Sequence, residues 1–84
     1  MNPKKLLEKA MSSGGNLRFR DVQTLVTAFG FVLLRVRGGH HIYGRPGIPE
    51  QVNLQNRKGK AKPYQVRQFL ELIEQHNLSL EEEA

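Results

Sequence analysis

The sequence predicts an α+β fold: a three-stranded antiparallel sheet with two helices on one face plus an extra N-terminal helix, in the order α-α-β-β-β-α. Three observations predict it. Two stripes, Val22/Leu25/Val26/Phe29 and Val66/Phe69/Leu70/Ile73, repeat apolar residues at i, i+3, i+4, i+7, the spacing of a half-buried helix. The stretch between them alternates, or is rich in β-branched and aromatic residues. Glycine and proline cut that stretch into short lengths.

Taken in order, Asn2 and Pro3 make a helix start, with Asn as cap and Pro in the first turn. Leu6, Leu7, Ala10 and Met11 form a short apolar stripe behind them. Residues 12–16, Ser-Ser-Gly-Gly-Asn, read as a loop. A second helix is expected from about Arg20 to Phe29, with Gly30 as its stop. Strands are expected over Phe31 to Arg37, His40 to Tyr43 and Gln51 to Gln55, the first two joined by a Gly38-Gly39 turn. Residues 56–62 read as a basic loop, and Pro63 opens the last helix. Three strands alone are barely stable in water, so helices must cover one face of the sheet. The other face stays open. This is a double-stranded-RNA-binding-domain-like arrangement. Its 84 residues leave room for one domain, read as an N-terminal helix and loop over 1–16, a core over 17–78 and an acidic tail over 79–84.

Composition bounds the function. There are no cysteines, which removes disulfides and thiolate metal sites and fits a reducing, cytoplasmic setting. No apolar run approaches the roughly 20 residues of a membrane helix, and the charged N-terminus does not read as a signal peptide. Thirteen Lys and Arg against eight Asp and Glu give a net charge of +5. Only Asp21 and Glu50 lie between Lys9 and Glu71, so the middle of the chain is the most basic part. Such a field suits a phosphate backbone or an acidic protein partner.

The segment richest in chemistry is Arg35-Val36-Arg37-Gly38-Gly39-His40-His41-Ile42-Tyr43. RNA carries its own nucleophile, the 2′-hydroxyl. Cleavage needs a base to take that proton and cations to stabilise the phosphoryl oxygens. Imidazole, with an unperturbed pKa of about 6.5, suits the first task. Arginine and lysine suit the second, which makes Arg35, Arg37, Lys58, Lys60 and Lys62 phosphate-binding candidates. Gly38 and Gly39 would let phosphate approach the backbone. Strand alternation sends His40 to the side of Ile42 and His41 to the side of Tyr43. One histidine therefore acts while the other packs or orients, and the pair makes a poor metal site. No metal or cofactor is expected. Tyr43 is placed either to stack on a base or to pack against the sheet. His76 reads as a helix-end residue.

Phe29-Gly30-Phe31, the Arg35–Tyr43 segment, Val52-Asn53-Leu54-Gln55 and residues 61–68 together resemble the HicA toxins of bacterial type II toxin–antitoxin systems. The resemblance covers about Leu17 to Leu78. It implies an mRNA-cleaving endoribonuclease, an mRNA interferase, with a catalytic histidine at His40 and a HicB-type antitoxin that covers the site. His41 and Tyr43, in the same segment, are further RNA-contact candidates beside the arginines. One departure stands out: the family has serine where this chain has Gly39. Two other readings are a non-catalytic RNA-binding module and a domain that only docks on an acidic protein. The first is weakened because Tyr64 and Gln65, not lysines, occupy the first turn of the last helix.

Overall fold

The computed structural model describes residues 2–80. From Glu81 on, the expected acidic tail lies outside the described residues. Helix α1 spans Pro3–Ser12, α2 Phe19–Ala28 and α3 Pro63–Gln75. Between α2 and α3 run β1 (Val32–Arg37), β2 (His40–Arg45), β3 (Ile48–Arg57) and a short β4 (Lys60–Ala61), forming an antiparallel meander in the order β1-β2-β3-β4. The α+β class and the element order match the sequence reading. The fourth strand was not foreseen.

Local chemistry explains the element ends. The Asn2 side chain accepts a hydrogen bond from the Lys5 backbone N–H (2.9 Å), and Pro3 occupies the first helical position. Helix α2 ends in a full Schellman motif: Gly30 N–H reaches the Thr27 carbonyl and Phe31 N–H reaches Val26. Gly30 takes the left-handed conformation this needs (φ 88°). Phe31, expected at the start of a strand, instead closes that motif and is fully buried. Helix α3 ends the same way with Asn77 at φ 53°, its N–H on Glu74 and that of Leu78 on Ile73.

All three hairpins turn on two residues. Gly38 and Gly39 both have positive φ, as a type I′ turn requires, and set Arg37 opposite His40. Pro46 and Gly47 turn β2 into β3, with Gly47 at φ 86°. The expected basic loop is itself a hairpin. Lys58 and Gly59 form its turn, and Asn56 Oδ1 accepts from the Gly59 N–H at 2.7 Å. The backbone just before α2 then pairs with β4: Ala61 N–H donates to Leu17 and Phe19 N–H to Gly59. Composition hid this strand because it is only two residues long, lies in a run of charged, solvent-facing residues, and has Lys58 rather than glycine or asparagine at the first turn position.

Helices α2 and α3 lie on one face of the sheet, and α1 packs across both. The core joins Val22, Leu25 and Val26 of α2, with Phe29 at its C-cap, to Val66, Phe69, Leu72 and Ile73 of α3, over Tyr43, Val52 and Leu54 of the sheet. Phe69 sits edge-on to both Phe29 and Phe31, with ring centroids 5.6 and 5.7 Å apart. Leu6 and Ala10 carry α1 onto this core. Met11, placed in the same stripe by its spacing, is exposed, because α1 offers only a narrow apolar seam. A last polar contact ties the end of α3 to β3: Glu50 receives the His76 Nε2–H at 2.8 Å and the Gln75 amide at 3.4 Å. No helix among the described residues is long and apolar enough to cross a membrane.

Two predictions follow from this packing. Phe69→Ala should destabilise the fold by about 3–5 kcal/mol, measured by urea unfolding, and so leave a domain this small largely unfolded. The His76 hydrogen bond, and then that from its own backbone, hold the Glu50 carboxyl below its usual pKa. A carboxylate with a depressed folded-state pKa contributes stability that is complete above its unfolded pKa and is lost as pH falls through the folded one. Glu50→Gln should therefore lower Tm modestly at pH 6, and the gap to wild type should close as pH drops below the carboxylate range.

Candidate nucleic-acid interface

With helices on one face only, the pleat sorts each strand residue by parity. On the helix face, Val36, His41 and Leu54 form one cross-strand row and Leu33, Tyr43 and Val52 another. On the opposite face, Arg37, His40 and Gln55 lie side by side, and Arg35, Ile42 and Asn53 form the next row. Directly opposed residues of this kind have Cβ atoms about 5 Å apart. Among the described residues no helix crosses this second face. The two-residue turn decides the arrangement. Adding or removing one residue at the turn would break the register that sets Arg37 opposite His40 and Arg35 one row farther along.

His40 is half-buried and held at both ring nitrogens. Nδ1 lies 3.0 Å from Asn53 Oδ1 and Nε2 lies 3.1 Å from Gln55 Nε2. Gln55 in turn accepts from the Gln65 amide at 3.0 Å, and Gln65 accepts from the Gln55 backbone N–H at 2.8 Å. Arg37 is exposed, and Arg35 donates to Gln51 Oε1 at 3.3 Å. A β-bulge between Leu33 and Arg35 shifts the outer half of β1.

His41 occupies the other side. Its ring packs edge-on against Phe19 at 4.8 Å and its Nδ1–H donates to the Gly39 carbonyl at 3.3 Å. The two histidines do not converge. Tyr43 is 4% exposed, and its hydroxyl accepts from Gln23 at 3.1 Å. Its expected role in RNA contact is therefore corrected to a core role: the same alternation that brings Tyr43 to the side of His41 turns its ring under α2. His41, on the helix face with it, does not share the surface of Arg35, Arg37 and His40. Gly38 and Gly39 have open space where a Cβ would stand. Gly39 holds φ at 84°, a conformation that a serine would adopt only under strain. Asn53 and Gln55, not a hydroxyl at position 39, orient the imidazole.

Lys58, Lys60 and Lys62 gather elsewhere, with Arg57, around a shallow groove at the β3–β4 hairpin and the start of α3. Arg57 pairs with Lys60 across that hairpin, two residues along β3 from Gln55, so pleat alternation keeps both on the side of His40. The cations thus form one group beside His40 and a second farther along β3.

Sequence reasoning missed Asn53, Gln55 and Gln65. The first two read as ordinary solvent-facing residues alternating with Val52 and Leu54. Gln65 left a usable signal: it falls on the stripe of Phe69, Leu72 and Ile73, where a polar residue must be buried. It is 2% exposed, the one buried polar residue among those described.

Comparison with curated proteins and with solved structures returned no match. A family model described as the HicA toxin of bacterial toxin–antitoxin matches residues 19–77. That span runs from the first residue of α2 through the left-handed Asn77 that closes α3, and takes in every strand, so it covers well over half of the chain. With its two-helix cover, its His-His strand and this match, the chain belongs to the HicA toxin family of bacterial toxin–antitoxin systems.

Proposed function

We propose that this toxin is an endoribonuclease that cleaves mRNA at its uncovered sheet face, with His40 as general base. The observation that carries this reading is the row Arg37–His40–Gln55. It sets an oriented imidazole beside a cation on a surface open to a polymer. A ribose 2′-hydroxyl at His40 Nε2 loses its proton to the ring, and its oxygen attacks the adjacent phosphorus. The bond from phosphorus to the 5′-oxygen breaks, and the leaving oxygen takes a proton from the imidazolium or from water. The products are a 2′,3′-cyclic phosphate, which water can open, and a 5′-hydroxyl. Arg35 and Arg37 stabilise charge on the phosphoryl oxygens. Gly38 and Gly39 leave the turn open to the backbone of the RNA, and Lys58, Lys60 and Lys62 hold phosphates farther along the strand. No step calls for a metal or cofactor. The site of action is the cytoplasm, where mRNA is found.

The antitoxin partner that family membership implies is, in this reading, a HicB-type protein covering the same face. The adjacent β1 edge gives it further surface: Val32, Leu33, Leu34 and Val36 are each about half exposed. A duplex-binding module without catalysis fits less well, because Gln65 in the first turn of α3 is buried and turned toward Gln55.

His40→Ala should reduce RNA cleavage by about 10²–10⁴-fold with a chelator present, followed by gel assay of a defined transcript. Equal cleavage by both proteins would refute the assignment. If the five cations each neutralise a phosphate, binding of His40→Ala to single-stranded RNA should weaken with salt at a log–log slope of about −3.5. Lys58→Ala with Lys60→Ala should reduce that slope by about 1.4, as measured by fluorescence anisotropy.

A further inference from the structure

We infer that Gln55 and Gln65 form a positioning relay that keeps the imidazole proton of His40 on Nδ1 and leaves Nε2 as the basic nitrogen. The geometry stands by itself; its catalytic consequence rests on the ribonuclease reading above.

The relay starts at a group whose polarity is fixed. A backbone N–H can only donate. The Gln55 N–H points at one end of the Gln65 side chain at 2.8 Å, so that end is the carbonyl oxygen. The other end of Gln65 is then the NH₂. It donates to the Gln55 side chain at 3.0 Å and also faces the Tyr64 hydroxyl at 3.4 Å. Gln55 must present its oxygen to Gln65, so its own NH₂ faces His40 Nε2 at 3.1 Å. A donor there needs a lone pair on Nε2. The proton therefore sits on Nδ1 and is donated to Asn53 Oδ1 at 3.0 Å.

Burial gives the relay its force. With Gln65 only 2% exposed, water has little access to a mismatched amide. Turning either glutamine over would set two oxygens, or two NH₂ groups, against each other in a low-dielectric setting. The first turn of α3, on the covered side, thereby determines which nitrogen is basic on the open side. In the free protein the Gln55 amide occupies Nε2, and an incoming ribose hydroxyl takes its place.

The test is to locate the His40 proton by long-range ¹⁵N–¹H NMR on the full chain without RNA, in wild type, Gln55→Glu and Gln65→Met. Wild type should show the Nδ1–H tautomer. In Gln55→Glu one carboxylate oxygen still accepts from Gln65, and the other faces Nε2, which must then carry a proton. Gln65→Met keeps the side-chain length but frees the Gln55 amide to turn, so His40 should become a mixture of tautomers. Cleavage by Gln55→Glu should fall at least about tenfold in kcat with KM changed less than about threefold, while its thermal melt stays cooperative. A side chain that merely packs would not move the proton. An Nε2–H tautomer in wild type, or a proton that stays on Nδ1 alone in Gln55→Glu, would overturn the relay. A proton that moves as expected, in a wild-type chain that cleaves no RNA, would uphold the relay and count against the ribonuclease reading instead.

Discussion

A β-strand sends successive side chains to opposite faces, and in this protein only one of those faces is covered. Much of the rest depends on that constraint. The core is assembled from residues of one parity, with Tyr43, Val52 and Leu54 lying under α2 and α3. Residues of the other parity, Arg35, Arg37, His40, Asn53 and Gln55, are left on a surface that contributes little to burial and is available for chemistry. Adjacent histidines in sequence are thus separated by the thickness of a sheet. One rests against Phe19 and the other among amides and arginines.

Register is what makes parity meaningful, and the turns supply register. Three two-residue connections fix the strand ends, each with glycine at positive φ: Gly38 and Gly39, Gly47, and Gly59. Between β2 and β3 an irregularity separates Arg45/Ile48 from Tyr43/Val52 and completes the register of the His40 row. Gly39 illustrates how a local demand can outweigh a motif. At position 39 the turn holds φ at 84°, which favours glycine, and the hydrogen bonds to the His40 ring come from side chains on the neighbouring strand. Leu34 shows the limit of strict pairing. The bulge there lets β1 absorb an extra residue without disturbing the rows nearer the turn.

The polar chain from Gln65 to Asn53 joins the two sides of the sheet. Buried amides are costly unless every donor and acceptor is matched, and a fully matched chain has only one low-energy orientation. In the cleavage proposed above that uniqueness has a chemical use, because a histidine has two tautomers and only one presents Nε2 as a base. The same helix that closes the core with Phe69 also presents the amide that orients Gln55, and Gln55 in turn faces His40.

The sequence by itself determined the helices, the first three strands and the separation of His40 from His41, because these follow from periodicity, capping and turn chemistry within a few residues. It also carried the family pattern. Tertiary structure alone decided the rest. Short strand β4 pairs locally with β3, but its outer edge is closed by Leu17 and Phe19 from far along the chain. Tyr43 lies in the core because α2 covers its side of the sheet. Neither Asn53 nor Gln55 could be linked to His40 without knowing which residues of β3 lie opposite β2, and the role of Gln65 required α3 to be docked. Hydrogen bonds between side chains depend on a few ångströms of placement between elements distant in sequence, and no local pattern encodes that distance.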